Sequence, residues 1–214
     1  MLVDGHTIAE QFNAGSWKAY RDNQPVKAED LKIGPNSIDV TLGDHLLVRD
    51  PTLERVIDPY DQSTARYVRV DPVTVTHGFG PGFVLMPNTL YLGFVRERFE
   101  ARSPIRLPAT DGLFKPTHAV TAYVVPMVDG RSTLARLGLT VHETAGFGDY
   151  GFEGCFTLEI RACTMMKLYV GMRIAQVSFQ TVTPGVVNKV YAGAYKGADH
   201  IGAPVAPRLG KDRF

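Results

Sequence analysis

Only two of the 214 residues are cysteine, Cys155 and Cys163, and they stand eight positions apart in what reads as one continuous strand. Residues so spaced along an extended chain lie about 26 Å apart, far beyond the reach of a disulfide. No CxxC, HxE or HExxH spacing occurs, which leaves no zinc site of the usual kinds. Both thiols therefore read as buried or idle, which suits a reducing cytoplasm. An excess of either charge is missing as well: 23 Lys and Arg stand against 22 Asp and Glu, so no polyanion-binding stripe is implied and genomic nucleic acid is a poor partner. The front of the chain lacks a basic region followed by an apolar run, and nowhere do about 18 apolar residues follow one another, so no membrane partner is expected and a cytoplasmic location is.

What is there is mostly β. A first segment, DGHTIAEQFNAG, has Asp4 or Thr7 as N-cap, Ile8 and Phe12 at i,i+4 and Gly15 as a stop, and predicts one short helix. After it, helical periodicity gives way to short alternating runs rich in Val, Ile, Thr, Tyr and Phe: SIDVTLG, YVRVDPVTVTH, FVLMPNTLYLGFV, AVTAYVVPMV, LGLTVHETA, CFTLEIRA and RIAQVSF. Their number and their turn-forming borders predict a sandwich or distorted barrel. Glu100 to His118 carries three prolines and mixed charge without a period, and reads as a loop. The tail from Val190 is rich in Gly, Ala and Pro; it reads either as a frayed end or, given Tyr191, Tyr195 and Lys196, as a segment that orders over a ligand.

Three stretches carry groups suited to chemistry. In GRSTLAR, Gly130 allows a turn into a short helix whose free N–H groups suit an anion; Ser132 and Arg136 are i,i+4 on one face, and Arg131 lies beside the free end. A capped surface helix accounts for the same residues. In CFTLEIRA the alternation puts Phe156, Leu158 and Ile160 on one face and Thr157, Glu159 and Arg161 on the other. That is either a solvated strand face or a carboxylate fixed on a rigid strand as a general base. Asp149, in the glycine-rich turn GFGDYGFEG, is a rival base, a sugar-hydroxyl acceptor or plain turn chemistry. His142 reads as a packed, hydrogen-bonded strand histidine, and the other histidines show no metal spacing. GFGPG, Gly78 to Gly82, reads as a turn.

Together, NSIDVTLG, GRSTLARLGL, VHETAGFGDYGFEGCFTLEI and GMRIAQVSF resemble the dCTP deaminase and dUTPase superfamily, its deaminase branch most closely. The resemblance implies a distorted jelly-roll (β-clip, dUTPase-like) protomer over 1–190, with a loop insertion near 100–118 and a tail, 191–214, that closes over the site. It also implies a homotrimer with active sites between neighbouring subunits. Position by position, Glu159 matches the general acid/base, and Ser132 and Arg136 match the groups that hold water and polarise the site. Arg131, Ser132, Thr133 and Arg136 match the substrate cradle, with Asp149 at the deoxyribose. Thr157, Leu158 and Glu159 match the strand that lines the base, Ala145 a backbone contact, and Tyr191 and Lys196 the closing tail. The implied reaction is zinc-independent hydrolysis of dCTP to dUTP and ammonia, with magnesium carried by the triphosphate and no metal held by the protein.

This chain departs from the superfamily in three places. The turn that usually reads Ile-Asp-Pro-Gly has Gly148 and Tyr150 flanking Asp149, the tail lacks the usual Lys-Tyr pair, and 100–118 stands as an insertion. AGFGDYGFEG also resembles the dUTPase pattern, in which the aspartate activates water against the α-phosphate, so a bifunctional enzyme giving dUMP and diphosphate is the alternative. A deaminase for a modified deoxycytidine nucleotide and a nucleotide-sensing trimer without turnover are the other readings.

Overall fold

The computed structural model describes residues 1–53, 56–74, 80–110, 116–182 and 190–193, side chains at 62, 107–110 and 116–120 excepted. The predicted helix, α1, spans Gly5–Asn13. Asp4 caps it by accepting the Thr7 N–H at 3.0 Å, Ile8 and Phe12 turn into the core, and Gly15 ends it at φ +69°.

In chain order the described strands are β1 (Lys18–Arg21), β2 (Gln24–Val26), β3 (Lys32–Ile33), β4 (Ser37–Thr41), β5 (Leu46–Arg49), β6 (Tyr67–Val70), β7 (Val73–Thr74), β8 (Pro81–Leu85), β9 (Tyr91–Glu100), β10 (Ile105–Thr110) and β11 (Pro116–Gly130). A short helix, α2 (Ser132–Arg136), then precedes β12 (Leu139–Thr140), β13 (Glu153–Ala162), β14 (Met166–Tyr169) and β15 (Arg173–Val182). All their pairings are antiparallel. One sheet is built on β9: β13 takes one edge, while β5 and β1 share the other, β5 at Tyr91 and Leu92 and β1 from Glu97 to Glu100. A second sheet runs β10-β11-β15-β4-β3, and a third β14-β8-β7. The inward positions form one apolar core with Trp17, Phe83, Phe179, Leu158 and Ile160 at its centre. The protein is a mostly β, distorted jelly roll with one short N-terminal helix.

One charge sits inside that core. Glu97 is fully buried, and Oε1 accepts from Arg21 Nε and from the Thr41 hydroxyl, each at 2.9 Å, while Oε2 accepts the Thr41 N–H at 2.8 Å. Arg21 belongs to β1 and Thr41 to β4, so one carboxylate ties the β9 sheet to the β15 sheet. Its saturation is what makes burial tolerable, because an unpaired carboxylate in such a place would be strongly destabilising.

Three sequence readings are corrected. Glu100 to His118 is not a loop: β9 ends at Glu100, and β10 pairs with the first part of β11, Ile105 opposite Ala122 and Pro108 opposite Ala119. The prolines read as breakers fit because β10 is an edge strand, where an N–H can be dispensed with, and Pro116 opens its strand. His142 lies beyond the two-residue β12 and is not in a strand; its Nδ1 is buried with no hydrogen-bond partner among the described residues. Cys163 falls just past β13 and is exposed, whereas Cys155 is buried.

Two stability measurements follow from these carboxylates. Arg21→Ala leaves the Glu97 carboxylate buried without its cation, and the denaturant midpoint should show a loss of about 3–5 kcal/mol. Asp50, a second buried carboxylate, accepts from the Thr52 hydroxyl at 2.6 Å and the Thr52 N–H at 2.9 Å, and from Nε of the exposed Arg66 at 2.8 Å. The Thr52 bonds first, then Arg66, hold its carboxyl below the ordinary 3.8, at about 2. A lowered folded value means that the contribution is full above the ordinary value and is lost as pH falls through about 2. Unfolding titrations at stepped pH across that window should show a shallower pH dependence for Asp50→Asn than for the unaltered chain.

Candidate active site

Of the predicted residues, Thr157, Leu158 and Glu159 stand on β13, whose outer edge is paired by β12. Leu158 and Ile160, both fully buried, anchor that strand, which leaves Thr157, Glu159 and Arg161 on its opposite, half-buried face. Across the sheet Glu159 lies opposite Leu92 of β9, and Leu92 lies opposite Leu47 of β5. Tyr67 of β6 senses the same carboxylate: burial raises its phenol above the ordinary value, Arg49 opposes, and the Glu159 charge adds to the rise.

The chain after α2 runs along the free edge of β13. Leu139 pairs with Ala162 and Thr140 with Arg161, and beyond the end of β12 the Glu159 N–H still donates to the Val141 carbonyl at 2.9 Å. The side chain of Glu159 is fixed by the same segment, since Oε2 accepts the Glu143 N–H at 2.8 Å. The carboxylate is thus partly buried and oriented by an N–H dipole, and Oε1 accepts no bond among the described residues.

From Ala145 onward the segment leaves β13 and lies against β11. Val128 donates to the Gly146 carbonyl at 2.7 Å, Gly148 donates to the Pro126 carbonyl at 2.8 Å, and Phe147 bridges to Met127. The approach is close enough that a Cβ on Gly146 would stand 2.6 Å from the Val128 oxygen, and one on Gly148 would stand 2.7 Å from Pro126 Cγ. That explains the glycines around Phe147 without any special dihedral angle. Ala145 and Asp149 are exposed on either side of this contact, and the Phe152 N–H closes a turn onto the Asp149 carbonyl at 3.1 Å. Tyr191 comes to that turn too, donating its N–H to the Tyr150 carbonyl at 2.8 Å with its ring 5.9 Å from Phe152.

On α2, Ser132, Thr133 and Arg136 are exposed and bond to no other described side chain. Arg131, its N-cap, is engaged instead: Nε stands 3.3 Å from Asp39 Oδ1, while Arg173 donates to Asp39 Oδ2 at 3.1 Å. One carboxylate of β4 therefore holds two guanidiniums, leaving a net positive group beside the start of α2. Neither this pairing nor the bond from Glu143 to Glu159 was expected. Asp39 stands in the quoted SIDVTLG, but its partners are far away in sequence and no local spacing announces them. No bond among the described residues joins Asp149 to Glu159, or either to Ser132 and Arg136. Lys196, Tyr195, His77 and His200, with the first two residues of GFGPG and the middle of 100–118, lie outside the described residues, while the last two residues of GFGPG open β8 rather than a turn. Among the described residues no three His, Cys, Asp or Glu side chains are grouped to hold a metal ion, and no helix is long and apolar enough to cross a membrane. A cavity of about 420 Å³ on the same sheet, between Asp22, Asp44, Arg96, Arg98 and Cys155, is lined by none of the predicted residues.

The crystal structure of 2'-deoxycytidine 5'-triphosphate deaminase from Agrobacterium tumefaciens matches with a TM-score of 0.52 and 18% identity, over 85% of this chain and 48% of that one, which is a likeness of fold. A family model described as dCTP deaminase-like matches residues 2–105 and 117–182, and this chain belongs to that family. The residues it passes over, 106–116, include all of β10 but Ile105. A protein named dCTP deaminase, dUMP-forming, from Hathewaya histolytica is 29% identical over 197 residues, 92% of this chain and 91% of its own. One of the same name from Methanobrevibacter smithii is 36% identical over 185 residues, 85% of this chain and 81% of its own.

Because the Ala145 to Gly148 crossing sits so tightly on β11, Gly146→Ala should cost about 1–3 kcal/mol through overpacking. A thermal melt checks this, with Gly34→Ala, where the added Cβ would meet nothing nearer than the Ser37 oxygen at 3.6 Å, as the control for a glycine substitution made without such crowding.

Proposed function

We propose that this chain hydrolyses dCTP to ammonia and dUTP, and carries the dUTP on to dUMP and diphosphate. The single observation that supports it most is the Glu159 carboxylate, held on a rigid strand with one oxygen bound by an N–H and the other left for a water. The names of the relatives, dUMP-forming deaminases, favour this outcome over release of dUTP.

In this reading Glu159 takes a proton from a water placed by Ser132 and the Ala145 backbone, and the hydroxide adds to C4 of cytosine. Glu159 delivers that proton to N3, then takes the proton of the new C4 hydroxyl and passes it to the amino group, so that the C4–N bond breaks, ammonia leaves and C4 keeps the oxygen as a carbonyl. Arg136 supplies fixed positive charge near the carboxylate. Arg131, Thr133 and Lys196 contribute to holding the phosphates, Thr157 and Leu158 line the base through the β13 backbone, and Tyr191 closes from the tail. Asp149 meets the deoxyribose and, for the second step, orients a water against the α-phosphate. Magnesium enters on the triphosphate and balances its charge.

A homotrimer completes the site. Ser132, Arg136 and Asp149 are exposed and, among the described residues, bond to nothing near Glu159. Leu137 and Phe147 beside them, and Met165, are each 60% exposed, an apolar burden that a subunit contact would cover. Light scattering should return three times the 23.5 kDa chain mass.

Incubation with dCTP, with ammonia, dUTP, dUMP and diphosphate measured separately, tests the reaction. Ammonia with equal dUMP and diphosphate is expected. Accumulating dUTP would reduce the activity to deamination, and binding of dCTP without ammonia would indicate a sensor. Glu159→Gln should lower the deamination rate about a hundredfold or more.

A further inference from the structure

The segment that fixes Glu159 is itself held in an unusual way. It leaves β12 at Thr140, and Val141 and Glu143 then bond to Glu159 by backbone alone. His142 between them adds no hydrogen bond through its buried Nδ1, and its Nε2 stands 3.6 Å from Asp129. What pins the end of the segment is a side-chain pair, Arg161 Nε donating to Glu143 Oε1 at 2.8 Å. Arg161 lies two residues along β13 from Glu159, on the same face, and its carbonyl accepts the Thr140 hydroxyl at 3.3 Å. Glu143 therefore reaches the strand twice, with its N–H to the Glu159 carboxylate and with its own carboxylate to the next cation on that face. Arg161 also neutralises a negative charge that would otherwise repel Glu159 and push the segment away.

We infer that Glu143, locked by Arg161, is the positioning residue that sets the orientation of the Glu159 carboxylate. The inference rests on the deaminase reading of Glu159. The ion pair contributes orientation rather than stability, because its side chains are 42% and 43% exposed and pairs so exposed stabilise a fold little. The Glu143 N–H survives any side-chain change, so the effect of a substitution reports how firmly the pair holds that N–H in place. A substrate held by other groups would bind nearly as before while the proton transfer suffered.

The test measures ammonia release from dCTP by the full chain, with Glu143→Gln, Arg161→Gln and the charge-exchanged pair Glu143→Arg with Arg161→Glu, each alongside a thermal melt. Both single variants should lose about tenfold or more in kcat, with KM for dCTP and the melting temperature little changed, as misplacement of a reacting group predicts. The exchanged pair, which restores opposite charges across the same gap, should recover most of the rate. Unchanged kcat in either single variant overturns the inference, and so does an exchanged pair no faster than the singles or a loss confined to KM. An unaltered chain that releases no ammonia overturns the deaminase reading itself, and a normal unaltered chain with insensitive variants overturns only the role of Glu143.

Discussion

The buried carboxylate of Glu97 is the constraint on which the rest of the architecture turns. It reaches Arg21 on β1 and Thr41 on β4 from the centre of β9, so the two large sheets are fixed to each other at one charged point inside an apolar core. Fixing β9 fixes its register with β13, where Glu159 lies opposite Leu92. Because side chains alternate along a strand, a slip of one residue would turn Glu159 inward and Leu158 outward. The core ion pair thus sits on the strand that sets the register of β13, and with it the face on which Glu159 stands.

Around that strand the site is assembled from irregular chain rather than from sheet. The segment between β12 and β13 first follows β13, bonding to Glu159 through its backbone and to Arg161 through the Glu143 side chain, and then crosses to β11, where two glycines allow near contact. The charged groups sort in the same way. Glu159 is oriented by a dipole, Glu143 is matched by Arg161, and Asp39 gathers Arg131 and Arg173 at the start of α2. The two groups of charges lie on different elements, Glu143 with Arg161 beside β13 and Asp39 with Arg131 and Arg173 at the start of α2.

Much of this was legible in the order of residues. The Asp4 cap, the Ile8 and Phe12 spacing and Gly15 gave α1, and alternation in CFTLEIRA put Glu159 on the polar face of its strand. The short charged strands β1, β5 and β14 were not legible, because KAYR, LLVR and MKLY are too brief for a period to show. The β10–β11 hairpin was hidden by prolines that only its edge position makes acceptable. The decisive ion pairs were hidden for a different reason: Arg21 and Glu97 are 76 residues apart and Arg173 and Asp39 are 134 apart, and nothing local marks residues that meet only after folding. His142 failed as a strand histidine because β12 stops two residues before it.

The edge position of β10 has a meaning for the protein in a crowded cell. An outermost strand offers a row of amide and carbonyl groups to any other chain in extended form, and it is the usual place for unwanted strand-to-strand growth. A proline in the middle of that row removes one donor and keeps a docking strand from bonding along its full length. The residue that disguised the hairpin is in this sense a guard against filament formation, inside the stretch that the family model passes over.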